Sequence, residues 1–290
     1  MRVIVTGADG MLAQAVKNRC LSIGDDVVAL NRGQLDISDR EQVFAAITAV
    51  LPDAVINCAA FTDVDGAEAN EAACYAANAV GVENLASACD ASGAVFVTVS
   101  TDYVFDGTHH GFYTQRDTPN PLGVYGKAKR EGEIRAFAIY PRSIIVRSGW
   151  IFGHGGTNFL SNIPRLLGEG TPIKAIADSY GTPTFADDLA IRLRELAAAD
   201  LPGVYHVTNE GSGCSYFGFA EKICEIGGFD RGLLQSASYK DLQRPAPRPV
   251  SSKLACLISE RLGFERMRNW EAALKDYLGL FDNTGQNRRA

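Results

Sequence analysis

Short apolar runs rich in β-branched residues recur through the first half of the chain, and each is followed by a longer stretch of helical composition. The strand-like runs occupy residues 3–6, 27–30, 54–59, 95–100 and 143–148, and the helical stretches occupy residues 11–23, 40–50, 71–92 and 125–138. Strands that alternate with helices are typical of a parallel sheet with helices on both faces. The strands are apolar along nearly their whole length, as burial on both faces requires. We therefore predict an α/β fold, a doubly wound parallel sheet of the Rossmann type.

The pattern changes after residue 150, where glycine and proline become frequent, as in WIFGHGGTNF and RPAPRPVSSKL. One more strand-like run, GVYHVTN, lies between helical stretches at residues 186–199 and 216–226. We interpret residues 1–150 as an NAD(P)-binding Rossmann domain and residues 151–290 as a smaller C-terminal substrate-binding lobe, with interleaving of their segments allowed. The final stretch, NTGQNRRA, is predicted to be a frayed polar tail.

A glycine-rich turn follows the first predicted strand. The stretch VIVTGADGMLAQAV places Gly7 and Gly10 between that strand and the next helix, with Ala13 three residues further on. Gly7 allows a tight turn, Gly10 lets a pyrophosphate approach the helix N-terminus, and the small Ala13 allows close packing of helix on strand. In this context the pattern predicts a dinucleotide site, and the competing interpretation is a turn of purely structural use.

The residues after the second strand bear on which dinucleotide is bound. A carboxylate here would hydrogen-bond the ribose 2′-hydroxyl of NAD, whereas an arginine would bind the 2′-phosphate of NADP. The sequence has Asn31 and Arg32 at this point, with Asp36 a few residues later. We therefore expect NADPH or NADH as the cofactor, with NADPH weakly favoured. The alternative is that Arg32 lies in solvent and contacts no cofactor.

Two polar groups of residues are predicted to meet at the carboxyl edge of the sheet, where open α/β folds bind ligands. Ser100, Thr101 and Asp102 end the fourth strand. The stretch VYGKAK then places Tyr125 and Lys129 one turn apart at the start of a helix. Thr101 would polarise a carbonyl group, Tyr125 would donate a proton, and Lys129 would lower the pKa of the Tyr125 phenol. By itself, the Tyr125–Lys129 pair also fits a solvated helix face.

The composition limits the class of partner. The net charge of −6 at pH 7 gives no electrostatic basis for binding nucleic acid or an anionic membrane. The seven cysteines include no CxxC pair or cysteine–histidine cluster, so we expect neither a disulfide framework nor a metal site. No apolar run approaches the roughly 20 residues of a membrane span, and the first residues lack the pattern of a signal peptide. These features predict a cytoplasmic protein.

A collinear series of stretches carries a resemblance to a known family. The stretches are TGADGMLA, LDISD, DAVINCAAFTDVDGAE, NAVGVENLA, STDYVFDG, PNPLGVYGKAKREGE, VRSGWIFG, DSYGTPTFADDLA, GVYHVTN and RPVSSKL. With this series the chain resembles the extended short-chain dehydrogenases/reductases, and among them the dTDP-4-dehydrorhamnose reductases. The resemblance implies NAD(P)H-dependent reduction of the C4 keto group of dTDP-6-deoxy-L-lyxo-4-hexulose to dTDP-L-rhamnose, with a sugar-nucleotide-binding C-terminal lobe.

The resemblance also implies roles for residues at matching positions, and the patterns above add to them. The predicted catalytic set is Thr101, Tyr125 and Lys129. Predicted cofactor contacts are Gly7, Gly10, Met11, Leu12, Asn31, Arg32, Asp36, Ile37, Ala59, Ala60, Phe61, Thr62, Tyr125 and Lys129. Predicted substrate contacts are Val64, Thr101, Asp102, Tyr125, Trp150 and Arg248. No carboxylates match a metal site of the family, and a homodimer is compatible with the resemblance.

Arg248 is assigned to the predicted substrate site, whereas a nearby acidic run is given a structural role. Arg248 lies between prolines that restrict its backbone, and a guanidinium matches phosphate geometry well. We expect it to bind a pyrophosphate or to close a loop over it, and the alternative is simple surface exposure. The acidic run Asp63, Asp65 and Glu68 is expected to cap and charge the start of a helix.

Other activities on the same scaffold differ in a few residues. Nucleotide-sugar dehydratases typically have a glutamate after the strand-end aspartate, and Tyr103 occupies that position here. Epimerases keep the tyrosine–lysine pair but usually have small residues in place of TDY. Two alternatives share most of the quoted motifs. They are a 4-ketoreductase for another nucleotide-deoxysugar and a non-catalytic NADP-binding protein that resembles the regulatory subunit of methionine adenosyltransferase.

Overall fold

A computed structural model describes residues 1–279 of the protein, and the predicted polar tail lies outside them. The strands are β1 (Arg2–Thr6), β2 (Asp26–Leu30), β3 (Ala54–Asn57), β4 (Val95–Thr101), β5 (Ile144–Ser148), β6 (Ile151–Phe152), β7 (Ile173–Ile176), β8 (Tyr180–Gly181), β9 (Thr184–Phe185), β10 (Gly203–His206), β11 (Cys214–Ser215) and β12 (Leu234–Ala237). The α-helices are α1 (Met11–Ser22), α2 (Arg40–Val50), α3 (Val64–Ala69), α4 (Glu71–Tyr75), α5 (Gly81–Ser92), α6 (Val124–Ile139), α7 (Phe159–Gly168), α8 (Ala186–Ala199), α9 (Tyr216–Gly227) and α10 (Trp270–Leu278).

Six strands form one parallel sheet in the order β10-β5-β4-β3-β1-β2. The strand order reverses at β1, which lies between β2 and β3. In open α/β sheets, the crevice at such a reversal is where ligands bind. The predicted Rossmann-type doubly wound sheet is thus confirmed, and its reversal lies directly beside the glycine-rich turn after β1.

The sheet is buried on both faces, as its apolar strands require. One core lies between the sheet and helices α1 and α8, with members such as Val5, Val16 and Leu193. The other lies between the sheet and helices α2, α5 and α6, with members such as Ile4, Ile47 and Leu85. A third core joins α7, α9 and α10 outside the sheet, with members such as Ile163, Phe219 and Leu274. This third core is the interior of a smaller C-terminal unit.

Segments after residue 150 return to the sheet. Helix α8 packs on α1, and strand β10 pairs with β5 at the sheet edge. Residues after 150 therefore contribute to the central sheet and its helical layer, and the division into two domains stays a prediction.

The predicted helix over residues 71–92 is interrupted. Helices α4 and α5 flank a π-helical turn, Ala76–Val80. Such single turns are rare and are found mostly inside α-helices at functional sites. The turn contains Asn78, whose side chain hydrogen-bonds the backbone of Phe61 in the loop after β3.

Candidate active site

A cavity of about 530 Å³ opens at the carboxyl ends of the central strands. The predicted site residues that line it are Gly10, Met11, Leu12, Ala60, Thr62, Val64, Thr101, Asp102, Tyr125, Lys129 and Trp150. The predicted site residues that do not line it are Gly7, Asn31, Arg32, Asp36, Ile37, Ala59, Phe61 and Arg248. One cavity therefore brings the predicted catalytic set together with residues predicted to contact a cofactor and a substrate.

The glycine turn brings β1, β3 and α1 close together. Gly7 has φ of +71°, and a Cβ atom there would lie 2.8 Å from the Ala59 Cα atom. Gly10 is the N-cap of α1 and has no side chain to hydrogen-bond the first backbone N–H groups of the helix. Those N–H groups are suited to an anion, because the N-terminus of a helix carries a partial positive charge. The turn therefore fits the pyrophosphate of a dinucleotide.

The residues predicted to select NADP or NAD lie outside the cavity. The Arg32 side chain is 89% exposed, with its Nε atom 3.8 Å from Asp36 Oδ2. Asp36 accepts hydrogen bonds from the backbone N–H and the hydroxyl of Ser38 at 2.9 and 2.6 Å, and these bonds hold the pKa of Asp36 below its usual value. The side chain of Ile37 is buried in the core of the sheet. Contacts between these residues and a cofactor stay a prediction.

The loop after β3 is held by a residue that the sequence analysis missed. Asn78, which is 1% exposed, accepts a hydrogen bond from Phe61 N at 2.9 Å and donates one to Phe61 O at 3.0 Å. This pair of bonds fixes the segment from which Ala60 and Thr62 line the cavity. The stretch NAVGVENLA has two asparagines, Asn78 and Asn84, among mostly apolar residues, and this is the sequence signal that could have pointed to Asn78.

Helix α6 carries Tyr125 and Lys129 into the cavity. The Lys129 side chain is buried, and its Nζ atom donates a hydrogen bond to Val99 O at 2.6 Å. Burial lowers the pKa of Lys129 to about 8, while the negative charge of Glu133 opposes this shift. The ammonium group is therefore fixed beside β4 by the backbone of that strand and supported by a carboxylate one turn along the helix.

Glu133 is the centre of a buried ion-pair network behind the cavity. It accepts hydrogen bonds from Ser100 Oγ at 2.6 Å and from Arg130 Nη1 at 2.8 Å. Arg147 on β5 binds both of its oxygens, with Nε at 2.9 Å and Nη2 at 2.7 Å. The paired arginines keep the pKa of Glu133 below its usual value despite burial. The carboxylate is therefore ionised and ties α6 to the ends of β4 and β5.

The predicted lowering of the Tyr125 pKa is wrong for the phenol as a whole, while the effect of Lys129 on it stays a prediction. Burial raises the pKa of the Tyr125 phenol above its ordinary value, and a hydrogen bond with Thr101 opposes the rise only in part. The Lys129 ammonium is engaged by Val99 O. Tyr125 therefore keeps its proton at neutral pH, which is the state required of a general acid.

Asp102 is a buried carboxyl at the end of β4. It is 3% exposed and accepts hydrogen bonds from Thr101 Oγ1 at 3.0 Å and from Ser252 Oγ. A Cβ atom on Gly149 would lie 2.3 Å from the Asp102 Cγ atom, so this glycine is what allows the carboxyl its position. Burial raises the pKa of Asp102 to about 6. Ser252, which comes from the distant stretch RPVSSKL, was not predicted.

An aromatic wall closes the side of the cavity that the C-terminal unit provides. The rings of Trp150 and Tyr216 stack with centroids 3.8 Å apart, and the Phe159 ring meets Tyr216 edge-on at 5.9 Å. Trp150 has φ of +51°, and a Cβ atom on Gly181 would lie 2.0 Å from its Nε1 atom. The strained backbone of Trp150 and the close approach of Gly181 therefore hold the indole in one orientation. Only Trp150 of the three was predicted.

Arg248 forms an ion pair instead of lining the cavity. Its Nη1 and Nη2 atoms donate to the two carboxylate oxygens of Asp65 at 2.8 and 2.9 Å, and Arg244 binds the same carboxylate at 3.2 Å. Arg248 is the main cause that lowers the pKa of Asp65 to about 2. The Arg248 side chain is 13% exposed, so simple surface exposure does not describe it. A contact between Arg248 and a pyrophosphate stays a prediction.

The acidic run before α3 does more than cap that helix. Asp63 is its N-cap, with a hydrogen bond from Gly66 N at 2.9 Å, as predicted. Glu68 Oε1 accepts a hydrogen bond from Val124 N at 2.8 Å. Glu68 therefore anchors the first turn of α6, directly before Tyr125.

Residues 1–279 contain neither a metal-binding cluster nor a membrane-spanning helix. There, no three side chains of His, Cys, Asp or Glu are grouped so as to hold a metal ion. Within the same range, no helix has the length and apolarity needed to cross a membrane.

Comparison with known proteins gives a consistent result. The family model described as the RmlD substrate binding domain matches residues 1–282. The dTDP-4-dehydrorhamnose reductase of Streptomyces griseus is 39% identical over 281 residues, which cover 95% of this chain and 92% of that protein. The enzyme of the same name from Mycobacterium tuberculosis is 39% identical over 291 residues, covering 98% of this chain and 94% of that protein.

A solved structure agrees. The crystal structure of dTDP-4-dehydrorhamnose reductase from Bacillus anthracis, in complex with NADP, superimposes with a TM-score of 0.91 at 34% identity. The match covers 95% of this chain and 98% of that one. By the extent of these matches, the chain belongs to the RmlD substrate binding domain family.

Proposed function

We propose that this protein uses NADPH to reduce the C4 keto group of dTDP-6-deoxy-L-lyxo-4-hexulose, giving dTDP-L-rhamnose. The observation that carries the proposal is that Thr101, Tyr125 and Lys129 line one cavity with the glycine turn of β1 and α1. The relatives described above bear the name of this activity, and one was solved with NADP.

In the proposed reaction, Tyr125 donates a proton to the sugar oxygen at C4. When bound, the reduced nicotinamide supplies the hydride. Burial keeps the Tyr125 phenol protonated, and the oxygen of a reduced ketone is more basic than a phenolate, so the transfer is downhill. The Thr101 hydroxyl interacts with the same phenol and donates to Asp102 Oδ1 at 3.0 Å, so in the proposed reaction it turns from Asp102 to donate to the keto oxygen.

Lys129 has a supporting role in the proposal. Its ammonium lies near the base of the cavity, bonded to Val99 O and supported by the charge of Glu133. We assign it to the nicotinamide ribose, as the family resemblance implies. Because burial lowers the pKa of Lys129 to about 8, its positive charge is present at neutral pH and is lost in moderately alkaline solution.

The aromatic wall and Val64 form the proposed sugar side of the cavity. Apolar ring faces suit a 6-deoxysugar, because its methyl group and ring C–H bonds are apolar. We propose that Trp150 contacts the sugar and that Tyr216, stacked on it, holds the indole in place.

The test is the absorbance of reduced nicotinamide, with purified protein, NADPH or NADH, and enzymatically generated dTDP-6-deoxy-L-lyxo-4-hexulose. The proposal expects oxidation of NADPH, with dTDP-L-rhamnose identified by mass spectrometry and NMR. NADPH binding without turnover of this sugar would overturn it, in favour of another ketosugar or of a non-catalytic binding protein.

We further propose that the protein acts in the cytoplasm and without nucleic acid, in line with its net charge of −6. A homodimer also stays a proposal. Light scattering on the purified protein measures its molar mass, and a value near 31.1 kDa would contradict the dimer.

A further inference from the structure

The hydroxyl of Ser148 is buried at the active-site cavity without a partner. Ser148 is the last residue of β5 and pairs in register with Thr101 of β4. It is 2% exposed, and its Oγ atom has no hydrogen-bond partner among residues 1–279. Buried hydroxyl groups nearly always have a partner, and one without a partner calls for a specific explanation. Because Ser148 lines the cavity, a bound ligand is the natural partner.

The neighbouring polar groups already have partners within the protein. Thr101 Oγ1 donates to Asp102 and accepts from Tyr103 N at 3.1 Å. Lys129 Nζ donates to Val99 O. Ser148 differs from both residues because its side chain has no protein partner in residues 1–279, and as a hydroxyl it can both donate to and accept from a ligand.

The chain reaches the sugar side at Trp150, two residues after Ser148, and from Ile151 onward it runs against the cofactor side of the cavity. Ile151 packs in the same apolar cluster as Met11 and Leu12 of the glycine turn. A Cβ atom on Gly156 would lie 2.6 Å from Met11 Sδ, so this segment touches the turn closely. The sugar side is instead marked by Val64 and by the stack of Trp150 on Tyr216.

We propose that Ser148 hydrogen-bonds the carboxamide group of the nicotinamide ring. The proposal rests on the proposed function, since it requires a nicotinamide cofactor in this cavity. A carboxamide has one acceptor and two donor hydrogens, and a serine hydroxyl matches either of its orientations. The bond restricts rotation of the ring, and so selects the ring face that is presented to the sugar beside Thr101.

The test compares two ligands that differ only in the nicotinamide. NADPH and 2′-phospho-ADP-ribose, which lacks the nicotinamide, are titrated by calorimetry into the wild type, Ser148→Ala and a control, Ser251→Ala. Ser251 is a matched control because its hydroxyl is also buried and without a partner in residues 1–279, yet does not line the cavity. We expect Ser148→Ala to bind NADPH about 5- to 10-fold more weakly, the usual effect of one hydrogen bond. Its affinity for 2′-phospho-ADP-ribose, and both affinities of Ser251→Ala, should be unchanged.

The remaining outcomes separate the two proposals. If the wild type does not bind NADPH, both the proposed function and the role of Ser148 fall. If the wild type binds NADPH and Ser148→Ala binds it equally well, only the role of Ser148 falls. Equal weakening toward both ligands would indicate a general distortion, and a higher KM for the sugar with unchanged NADPH affinity would assign Ser148 to the substrate. Either result would overturn the carboxamide contact.

Discussion

The two ends of the predicted cofactor site are built in opposite ways. At the nicotinamide end, Lys129 is 5% exposed and is fixed by Val99 O at 2.6 Å. At the adenine end, the Arg32 side chain is 89% exposed, and its nearest carboxylate, on Asp36, is 3.8 Å away. The Lys129 ammonium is thus fixed in the packed interior, whereas the Arg32 guanidinium lies in solvent with one long contact to Asp36.

This difference determines how much each end should respond to substitution. Burial strengthens electrostatic interactions and shifts pKa values, whereas salt and water screen an exposed charge. The groups at the nicotinamide end are therefore fixed by the fold, while the predicted preference between NADPH and NADH depends on the exposed side chain of Arg32. Substitutions should have large effects at the first end and small effects at the second.

The largest effect is expected for Tyr125→Phe. Loss of the proton donor should lower kcat by about 10²–10⁴-fold, the usual contribution of general acid catalysis, with little change in NADPH affinity. The matched control is Tyr140→Phe, which removes a phenolic hydroxyl that donates to Ala94 O at 3.3 Å, at the far end of the same helix. Steady-state kinetics measure both. Near wild-type kcat in Tyr125→Phe would mean that another group supplies the proton.

Glu133→Gln tests whether the buried network supports Lys129. Breaking a buried ion pair should lower the free energy of unfolding by about 3–5 kcal/mol. Because the charge of Glu133 raises the pKa of Lys129, its removal should shift the loss of NADPH affinity from near pH 8 to a lower pH. Denaturant titration and NADPH binding between pH 6 and about 9 measure the two effects, with Glu131→Gln on the exposed side of α6 as control. If the pH dependence of NADPH affinity did not change, Glu133 would have no effect on the pKa of Lys129.

The central strands, and the meeting of Thr101, Tyr125 and Lys129 in one cavity, could be predicted because their signals are local. Strand periodicity, the glycine turn and the spacing of Tyr125 and Lys129 each lie within a few residues. Helix α8 was predicted with the bounds that it has in the structure. The π-helical turn at Asn78 could not be predicted, because its residues have ordinary helical composition.

Contacts between distant residues were also beyond prediction. Arg248 and Asp65 are separated by 183 residues, and nothing in either stretch marks the other as its partner. The position of Ser148 beside Thr101 depends on the register of β5 against β4. The rise in the pKa of Tyr125 comes chiefly from burial, which the spacing of Tyr125 and Lys129 on one helix does not reveal.

Asp102→Asn should remove a pH dependence of stability. Burial raises the pKa of Asp102 from 3.8 to about 6, so between these values the folded state holds a proton that the unfolded state releases. The free energy of unfolding should therefore decrease as the pH rises through this window, by on the order of 3 kcal/mol from this group. Denaturant titrations across the window should show a flatter curve for Asp102→Asn than for the wild type. Parallel curves would contradict the assigned pKa.

Arg248→Gln tests whether Arg248 binds the pyrophosphate of the substrate. If the guanidinium exchanges Asp65 for a pyrophosphate, the substitution should weaken dTDP binding about tenfold, or about 1.4 kcal/mol. Arg244→Gln is the control, because Arg244 is more exposed and binds Asp65 through a single contact at 3.2 Å. Calorimetry with dTDP measures both variants. If Arg248→Gln lost stability but bound dTDP as tightly as the wild type, the Asp65–Arg248 ion pair would have only a structural role.

The smallest effect is expected at the exposed end, for Arg32→Ala. A solvated arginine near a phosphate contributes about 0.2–1 kcal/mol, so NADPH affinity should fall only two- to fivefold, roughly, while NADH affinity stays constant. The difference should shrink as salt is added, because an exposed charge is screened. Asn31→Asp should act in the same direction, since a carboxylate repels the 2′-phosphate. The ratio of kcat/KM for NADPH and NADH at two ionic strengths measures these changes. Equal losses of kcat/KM for both cofactors would place Arg32 at a group that NADPH and NADH share. A tenfold or larger loss that does not shrink with salt would mean that cofactor binding buries Arg32, as the protein interior already buries Lys129.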